Sequence, residues 1–345
     1  MSRKVDIGSI SIGGDSPIAV QTMYDIPLSQ LEEGFEARMH VLKGMGCDII
    51  RFSYPHIAEH DVLCKVVDLC PMPVVADIHF DWRNAMDAMD CKVAKIRINP
   101  GNIGAKWKTQ EIVKKAKDMG IAIRIGLNSG SLPKTERNIS MSELMVDTAL
   151  EYISWFEELG FYNTVVSLKA SDSQTSYEAA RLFASKSDYP LHLGVTEAGG
   201  VVPSCVRTTW TLGRLLSQGI GSTIRYSITG SIENEVYAGV ELLRTLGLRN
   251  GGVRIVSCPM CGRKSFDSQG FLKDVEASLL ATGKNVTVAI MGCQVNGPGE
   301  AKGADLAVTG IGSKVYLYRN GEICKEVEAS KAKDELLRAV EEFER

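Results

Sequence analysis

The chain has 345 residues, 44% of them hydrophobic and 23% charged, with a formal net charge of −3. That length suits a large domain plus a small one, and the slightly acidic balance excludes the basic face that non-specific nucleic-acid binding needs. No apolar run approaches the roughly 20 residues that cross a bilayer, and the opening Met-Ser-Arg-Lys-Val-Asp-Ile-Gly has no apolar signal core, so the expectation is a cytoplasmic protein with no membrane contact.

Residues 5–14 largely alternate and predict a short hairpin. Eight β-rich apolar runs follow, at 18–23, 48–53, 74–78, 94–98, 122–126, 164–168, 191–195 and 223–227. Amphipathic stretches lie after them, at 29–45, 57–69, 82–90, 108–119, 143–159, 173–186, 207–218 and 231–246. Gly46, Gly120, Gly160 and Gly219 stand where such helices should stop. Eight β-then-α units predict an α/β fold of the (β/α)₈ TIM-barrel type. The alternative, a doubly wound open sheet, should show a Gly-rich turn after its first strand, and Gln21-Thr-Met-Tyr24 is not one. We expect the barrel to occupy residues 1–248 and a small α/β domain residues 249–345. In the latter, strands are expected at 253–257, 286–291, 305–309, 314–318 and 321–327, with helices at 267–281 and 329–344. A metal centre would help stabilise so small a unit.

In such a barrel the reactive groups collect at the C-terminal ends of the strands. Those ends are polar here. They carry Gln21, Arg51 and Ser53, Asp77 and His79, Arg97 and Asn99, Arg124 and Asn128, Lys169, Glu197, and Arg225 and Ser227. Pairs two residues apart share a strand face. One arginine alone reads as a structural ion-pair partner. A ring of Arg51, Arg97, Arg124, Lys169 and Arg225 would repel itself unless an anion lay within it, and guanidinium groups match phosphate oxygens. A phosphorylated substrate is the expectation. Glu197, an acid among these cations, reads as an ion-pair partner or a proton-handling group.

Nine cysteines are too many to pass over. In a reducing cytoplasm they do not make a disulfide framework. Cys47, Cys64, Cys70, Cys91 and Cys324 read as small hydrophobes within helices or strands, and Cys205 is ambiguous. The other three lie in Cys258-Pro-Met-Cys261 and in Met-Gly-Cys293-Gln-Val-Asn-Gly-Pro-Gly-Glu300. A Cys-x-x-Cys alone fits zinc, a redox dithiol or half an iron–sulfur site. Structural zinc usually shows a second close ligand pair, and a redox dithiol has no use for a third cysteine. Three thiolates in glycine-rich turns, with Glu300 close enough to offer an oxygen ligand, suit a catalytic [4Fe–4S] cluster.

Long motifs then give a resemblance. Ala-Asp-Ile-His-Phe-Asp (76–81), Arg-Ile-Asn-Pro-Gly-Asn-Ile-Gly (97–104), Lys-Ala-Ser-Asp (169–172), Leu-His-Leu-Gly-Val-Thr-Glu-Ala-Gly (191–199), Cys-Pro-Met-Cys-Gly-Arg (258–263) and Gly-Cys-Gln-Val-Asn-Gly-Pro-Gly-Glu-Ala (292–301) resemble the 4-hydroxy-3-methylbut-2-enyl diphosphate synthase family, in its bacterial two-domain form. The resemblance implies reductive opening and dehydration of 2-C-methyl-D-erythritol 2,4-cyclodiphosphate in the non-mevalonate isoprenoid pathway. It implies Cys258, Cys261, Cys293 and Glu300 as ligands of a [4Fe–4S] cluster, and Glu197 as catalytic acid. Asp77, His79, Arg97, Asn99, Arg124, Asn128, Lys169, Arg225 and Ser227, with Arg51 of the cationic ring, would bind the diphosphate or shape its site. Reduced flavodoxin or ferredoxin would be the electron donor. A homodimer is implied in which the cluster domain of one chain closes over the barrel of the other. The chain departs from the family pattern at Thr22-Met-Tyr-Asp-Ile26, Arg207-Thr208 and Ser222, and Tyr24 is bulky enough to reshape the pocket. A related reductase acting on another phosphorylated polyol is therefore the alternative, and a zinc-dependent barrel hydrolase or lyase the alternative of a different class.

Overall fold

The computed structural model describes residues 2–344 except 260, 263, 294–298, 300, 301 and 312. It divides into two compact units, residues 1–43 with 47–249, and residues 44–46 with 250–345.

The first unit opens with a hairpin of β1 (Val5–Ile7) and β2 (Ile10–Ile12). Eight parallel strands follow: β3 (Ala19–Met23), β4 (Ile49–Ser53), β5 (Val74–Asp77), β6 (Lys95–Ile98), β7 (Ala122–Asn128), β8 (Thr164–Lys169), β9 (His192–Leu193) and β10 (Thr223–Ile224). They run in the order β8-β7-β6-β5-β4-β3-β10-β9. A parallel bridge from Val166 to Leu191 joins the two outer strands and closes the circle. Every residue of β5, β6 and β8 is buried, because helices cover the outer face and side chains fill the inner one. Ile7, Ile12 and Val5 of the hairpin pack with Ala19, Ile49, Val75, Ala122 and Val165 and plug the N-terminal end of the barrel.

The helices are α1 (Phe35–Met45), α2 (His60–Leu69), α3 (Trp82–Asp90), α4 (Pro100–Ile103), α5 (Lys106–Met119), α6 (Met141–Glu157), α7 (Ser173–Lys186), α8 (Val201–Leu216) and α9 (Ile232–Thr245). Two differ in extent from expectation. The stretch predicted from residue 29 is a single 3₁₀ turn, Leu28–Gln30, and α1 starts only after Gly34, whose φ of +87° no right-handed helix accepts. In contrast, α8 starts six residues earlier than predicted, because Pro203 falls in its first turn, where a missing N–H costs nothing. Cys64 of α2 and Cys91, which caps α3, are not the independent small hydrophobes expected of them: they form a disulfide.

In the second unit β11 (Val253–Ser257), β12 (Val286–Met291) and β13 (Leu306–Ile311) are parallel, and β14 (Lys314–Arg319) and β15 (Glu322–Glu328) continue the sheet antiparallel. Among the described residues, helices α10 (Ser268–Ala281) and α11 (Ala332–Glu341) accompany this sheet. Val275, Leu279, Leu280, Leu336 and Val340 are their bulky buried residues.

Candidate active site

Parallel register lines up the polar strand ends. Asp77 pairs with Arg97 and Arg97 with Arg124, while Asn128 pairs with Lys169 four residues further along their strands. These side chains surround a cavity of about 200 Å³ at the C-terminal end of the barrel. Its described lining is Met23, Arg51, Asp77, His79, Arg97, Arg124, Asn128, Ser167, Lys169, Thr196, Arg225 and Ser227.

Five cations thus converge, with Asp77 the carboxylate among the described lining residues. Asp77 is 2% exposed. Its Oδ1 accepts from Arg97 Nη1 at 3.2 Å, and its Oδ2 lies 3.5 Å from Arg51 Nε and 3.6 Å from His79 Nε2. Burial opposes its ionisation, yet Arg51, Arg97, His79 and Arg124 together hold its pKa down at about 2. Burial, with Arg225 and Arg97 nearby, brings Arg51 down to about 10 against the pull of Asp77. Burial and then Arg124 and Arg225 push Lys169 well below the usual lysine value. Lys169 Nζ meets His192 Nε2 at 3.0 Å, and His192 Nδ1 meets Thr223 Oγ1 at 2.6 Å. Burial, then Lys169, drives the His192 pKa down as well.

Several donors here have no protein partner among the described residues. Arg97 Nε, Arg124 Nε and Lys95 Nζ are all buried and unbonded. Unpaired buried donors are costly, and a crowd of cations more so, unless an anion meets them. The arrangement can bind a polyanion, and one or two phosphate groups fit its donors best.

In the second unit the register of Ser257 with Ile290 sets the loops after β11 and β12 side by side. Cys258 follows the first strand and Cys293 the second, the latter 7% exposed. Gly292 donates its N–H to Cys258 Sγ at 3.1 Å. A Cβ on Gly292 would come within 2.9 Å of Ser268 Oγ and 3.2 Å of Cys258 Sγ, so a side chain here would crowd this sulfur. Backbone N–H donation to a cysteine sulfur is the contact by which proteins tune a thiolate metal ligand. Cys261 is exposed, and Glu300 lies outside the described residues.

A family model described as the GcpE TIM-barrel domain matches residues 2–240, and one described as the GcpE protein C-terminal domain matches residues 254–342. The chain belongs to the GcpE family. A relative from Treponema denticola named 4-hydroxy-3-methylbut-2-en-1-yl diphosphate synthase (flavodoxin) is 44% identical, over 98% of this chain and 94% of its own length. Relatives of the same name from Clostridium acetobutylicum and Geobacter sulfurreducens are 41% and 40% identical, each over 99% of this chain and 98% of their own length. Among solved structures, a Xanthomonas albilineans dihydropteroate synthase superposes with a TM-score of 0.50 at 12% identity, covering 72% of this chain and 98% of that one, a likeness of fold alone. The resemblance read from the motifs is thus borne out.

With the GcpE barrel in view, the expected site residues divide. Arg51, Asp77, His79, Arg97, Arg124, Asn128, Lys169, Arg225 and Ser227 do gather round the cavity. Asn99 does not line it: it caps α4, accepting from Gly101 N at 3.1 Å and donating to Ser131 Oγ at 3.1 Å. Glu197 is exposed beside the lining residue Thr196, with a φ of +53° that non-glycine residues seldom adopt. Tyr24 does not reshape the pocket. It is 4% exposed, packs on Phe35 and Phe52, and donates its hydroxyl to Glu32 at 3.1 Å, because strand alternation turns it away from the side on which Met23 sits. Met23 was missed, and its Sδ lies 2.8 Å from Arg51 Nη2 and 3.8 Å from Arg225 Nη1. Glu235 was missed as well, a 2% exposed carboxylate that holds Arg225 from behind. Lys95 could have been found from its spacing, two residues before Arg97 on the same strand face.

Proposed function

We propose that this chain opens the ring of 2-C-methyl-D-erythritol 2,4-cyclodiphosphate by two-electron reduction with loss of water, giving 4-hydroxy-3-methylbut-2-enyl diphosphate for the non-mevalonate isoprenoid pathway. The observation that carries this reading is the convergence of five buried or nearly buried cations on a 200 Å³ cavity, in a chain matched along its length by synthases of that name. Arg51, Arg97, Arg124, Lys169 and Arg225 bind the diphosphate. Asp77 lies between Arg51 and Arg97 and keeps both aimed. Glu197, midway along the loop between β9 and α8, hands a proton to the departing oxygen.

Cys258, Cys261, Cys293 and Glu300 would hold a [4Fe–4S] cluster, and the close approach of Gly292 to Cys258 Sγ fits a thiolate that must ligate iron. When bound, such a cluster supplies electrons one at a time, received from reduced flavodoxin, the donor in the relatives' name, or from ferredoxin. We further propose a homodimer, with the C-terminal unit of one copy serving the barrel of the other. No helix among the described residues is long and apolar enough to cross a membrane, which agrees with work in the cytoplasm beside such a donor.

Anaerobic purification tests the reading. The expected product is a brown protein with iron and inorganic sulfide that turns over the cyclodiphosphate with reduced flavodoxin. Light scattering should give twice the chain mass. A colourless protein carrying one zinc per chain would defeat the proposal and revive the zinc-dependent lyase.

A further inference from the structure

His60 opens α2 and Cys64 lies one turn on, so the two share a helix face. Cys91 reaches the same spot from the end of α3, 27 residues further along the chain, and its sulfur is bonded to that of Cys64. The ring of His60 sits over the bond. Its Nε2 is 3.4 Å from Cys64 Sγ and 3.9 Å from Cys91 Sγ. Its Nδ1 is 3.0 Å from Asp87 Oδ2, an oxygen that also accepts from the Tyr54 hydroxyl. A carboxylate on Nδ1 fixes the neutral tautomer that leaves Nε2 free to accept a proton. Cys91 Sγ lies 3.4 Å from the His60 carbonyl oxygen. Each sulfur therefore has an acceptor in reach that only a thiol can use, Nε2 for Cys64 and the carbonyl for Cys91. Exposure is unequal too: Cys91 is 6% exposed, whereas Cys64 is half-buried beside a His60 side chain that is 37% exposed.

We propose that Cys64 and Cys91 are a reversible dithiol–disulfide couple that exchanges with a small thiol, His60 being its proton acceptor and donor. Disulfides in reducing compartments are mostly transient and redox-active rather than structural, which agrees with such a couple. In the reducing direction the thiolate of the small thiol attacks Sγ of Cys64, the accessible sulfur. His60 takes the proton of the attacking thiol; the Cys64–Cys91 bond breaks, its electron pair leaves on Cys91, and His60 passes that proton to Cys91, whose thiol then hydrogen-bonds to the His60 carbonyl. A second small thiolate attacks the mixed disulfide at its own sulfur and leaves with it as an oxidised dimer. Cys64 departs as thiolate, stabilised by protonated His60. Two small thiols are oxidised and one protein disulfide is reduced, so electrons and protons balance. In reverse, the Cys64 thiolate beside the imidazolium is the nucleophile.

The test uses the full chain with its metal content intact, equilibrated anaerobically in glutathione buffers from fully reduced to fully oxidised. Alkylation followed by peptide mass spectrometry reads each cysteine separately. The expected result is that Cys64 and Cys91 convert together between two alkylated thiols and one linked peptide pair, along a single two-electron curve. His60→Ala should slow the approach to equilibrium at pH 7 by about tenfold, as the thiolate fraction of Cys64 falls, without changing which cysteines link. A link that survives full reduction, or two thiols that never link, overturns the couple. So does one zinc per chain released on alkylating Cys64 and Cys91, which would make this a metal site. An unchanged rate in His60→Ala overturns the part given to His60.

Discussion

Arg225 and Glu235 meet in a two-pronged ion pair, Nε to Oε2 and Nη2 to Oε1, each at 2.9 Å. The same carboxylate accepts from Thr22 Oγ1 at 2.7 Å and from the Ile228 N–H at 3.0 Å. One acid on α9 therefore fixes β3, Arg225 just beyond β10 and the loop that follows. Arg225 faces the cavity and is also a structural tie, so its removal cannot separate the two roles. Glu235→Ala should destabilise the chain by about 3–5 kcal/mol, the usual result of stripping one partner from a buried pair. Urea unfolding with the metal centre intact checks this, and an unchanged midpoint would mean that the pair is not needed for folding.

Arg97 is the cleaner probe of binding. It donates to Asp77 and to the Gly126 carbonyl at 2.9 Å, and its Nε has no partner among the described residues. Arg97→Leu should weaken diphosphate binding by roughly 1.5–3 kcal/mol through the loss of a charge-assisted hydrogen bond. Iron content should not change. Calorimetric titration with the cyclodiphosphate reads the first and metal analysis the second, and full affinity in this variant would remove Arg97 from the site.

Acid should find a weak point at Asp77. Its folded pKa of about 2 lies below the ordinary value of 3.8. A depressed carboxylate stabilises the fold fully above its unfolded pKa, and that contribution disappears as pH falls through the folded one. The shift corresponds to about 2 kcal/mol. Asp77→Asn should be less stable than the parent at pH 6, and the gap should narrow between about pH 5 and 2. Paired unfolding curves across that range would show it, and a gap independent of pH would mean that the Asp77 charge is not what stabilises.

Glu197 is not among the described lining residues of the cavity, and the proton role proposed for it is open to direct test. Glu197→Gln should keep metal and substrate affinity while turnover falls by about 10²-fold or more, the usual reach of general acid catalysis. Separate determination of kcat and Kd decides the matter. Turnover within a factor of about two of the parent would leave the departing oxygen to another donor.

Gly292 is expected to tolerate a side chain poorly. The Cβ of Gly292→Ala would press on Ser268 Oγ and Cys258 Sγ and push that sulfur from its N–H donor. Iron and sulfide per chain should drop well below the parent, with the barrel still folded by circular dichroism. Full occupancy in this variant would detach Cys258 from metal binding.

Much of the barrel was legible because each of its strands is a short apolar run with a polar end, and strand alternation told which polar groups would face inward. Arg51, Asp77, Arg97, Arg124 and Lys169 needed nothing more. Glu235 was hidden because an acid in the first turn of a helix is ordinarily a solvated partner of the helix dipole, and only the packing of α9 on β3 reveals it as buried. Cys64 and Cys91 each sit well in an apolar helical pattern, and their pairing depends on how two helices pack, which spacing along the chain does not encode. Tyr24 misled for a related reason: bulk near a barrel mouth matters only on the inward side of the strand.

The hairpin wedged into the bottom of the barrel has a kinetic corollary. A tube stoppered at one end is a cup, with a single doorway shared by incoming substrate and outgoing product. The two cannot pass each other among the same arginines. Product that keeps a diphosphate must therefore clear the doorway before the next molecule enters, and it should act as a competitive inhibitor whose strength rises with every cation that improves capture.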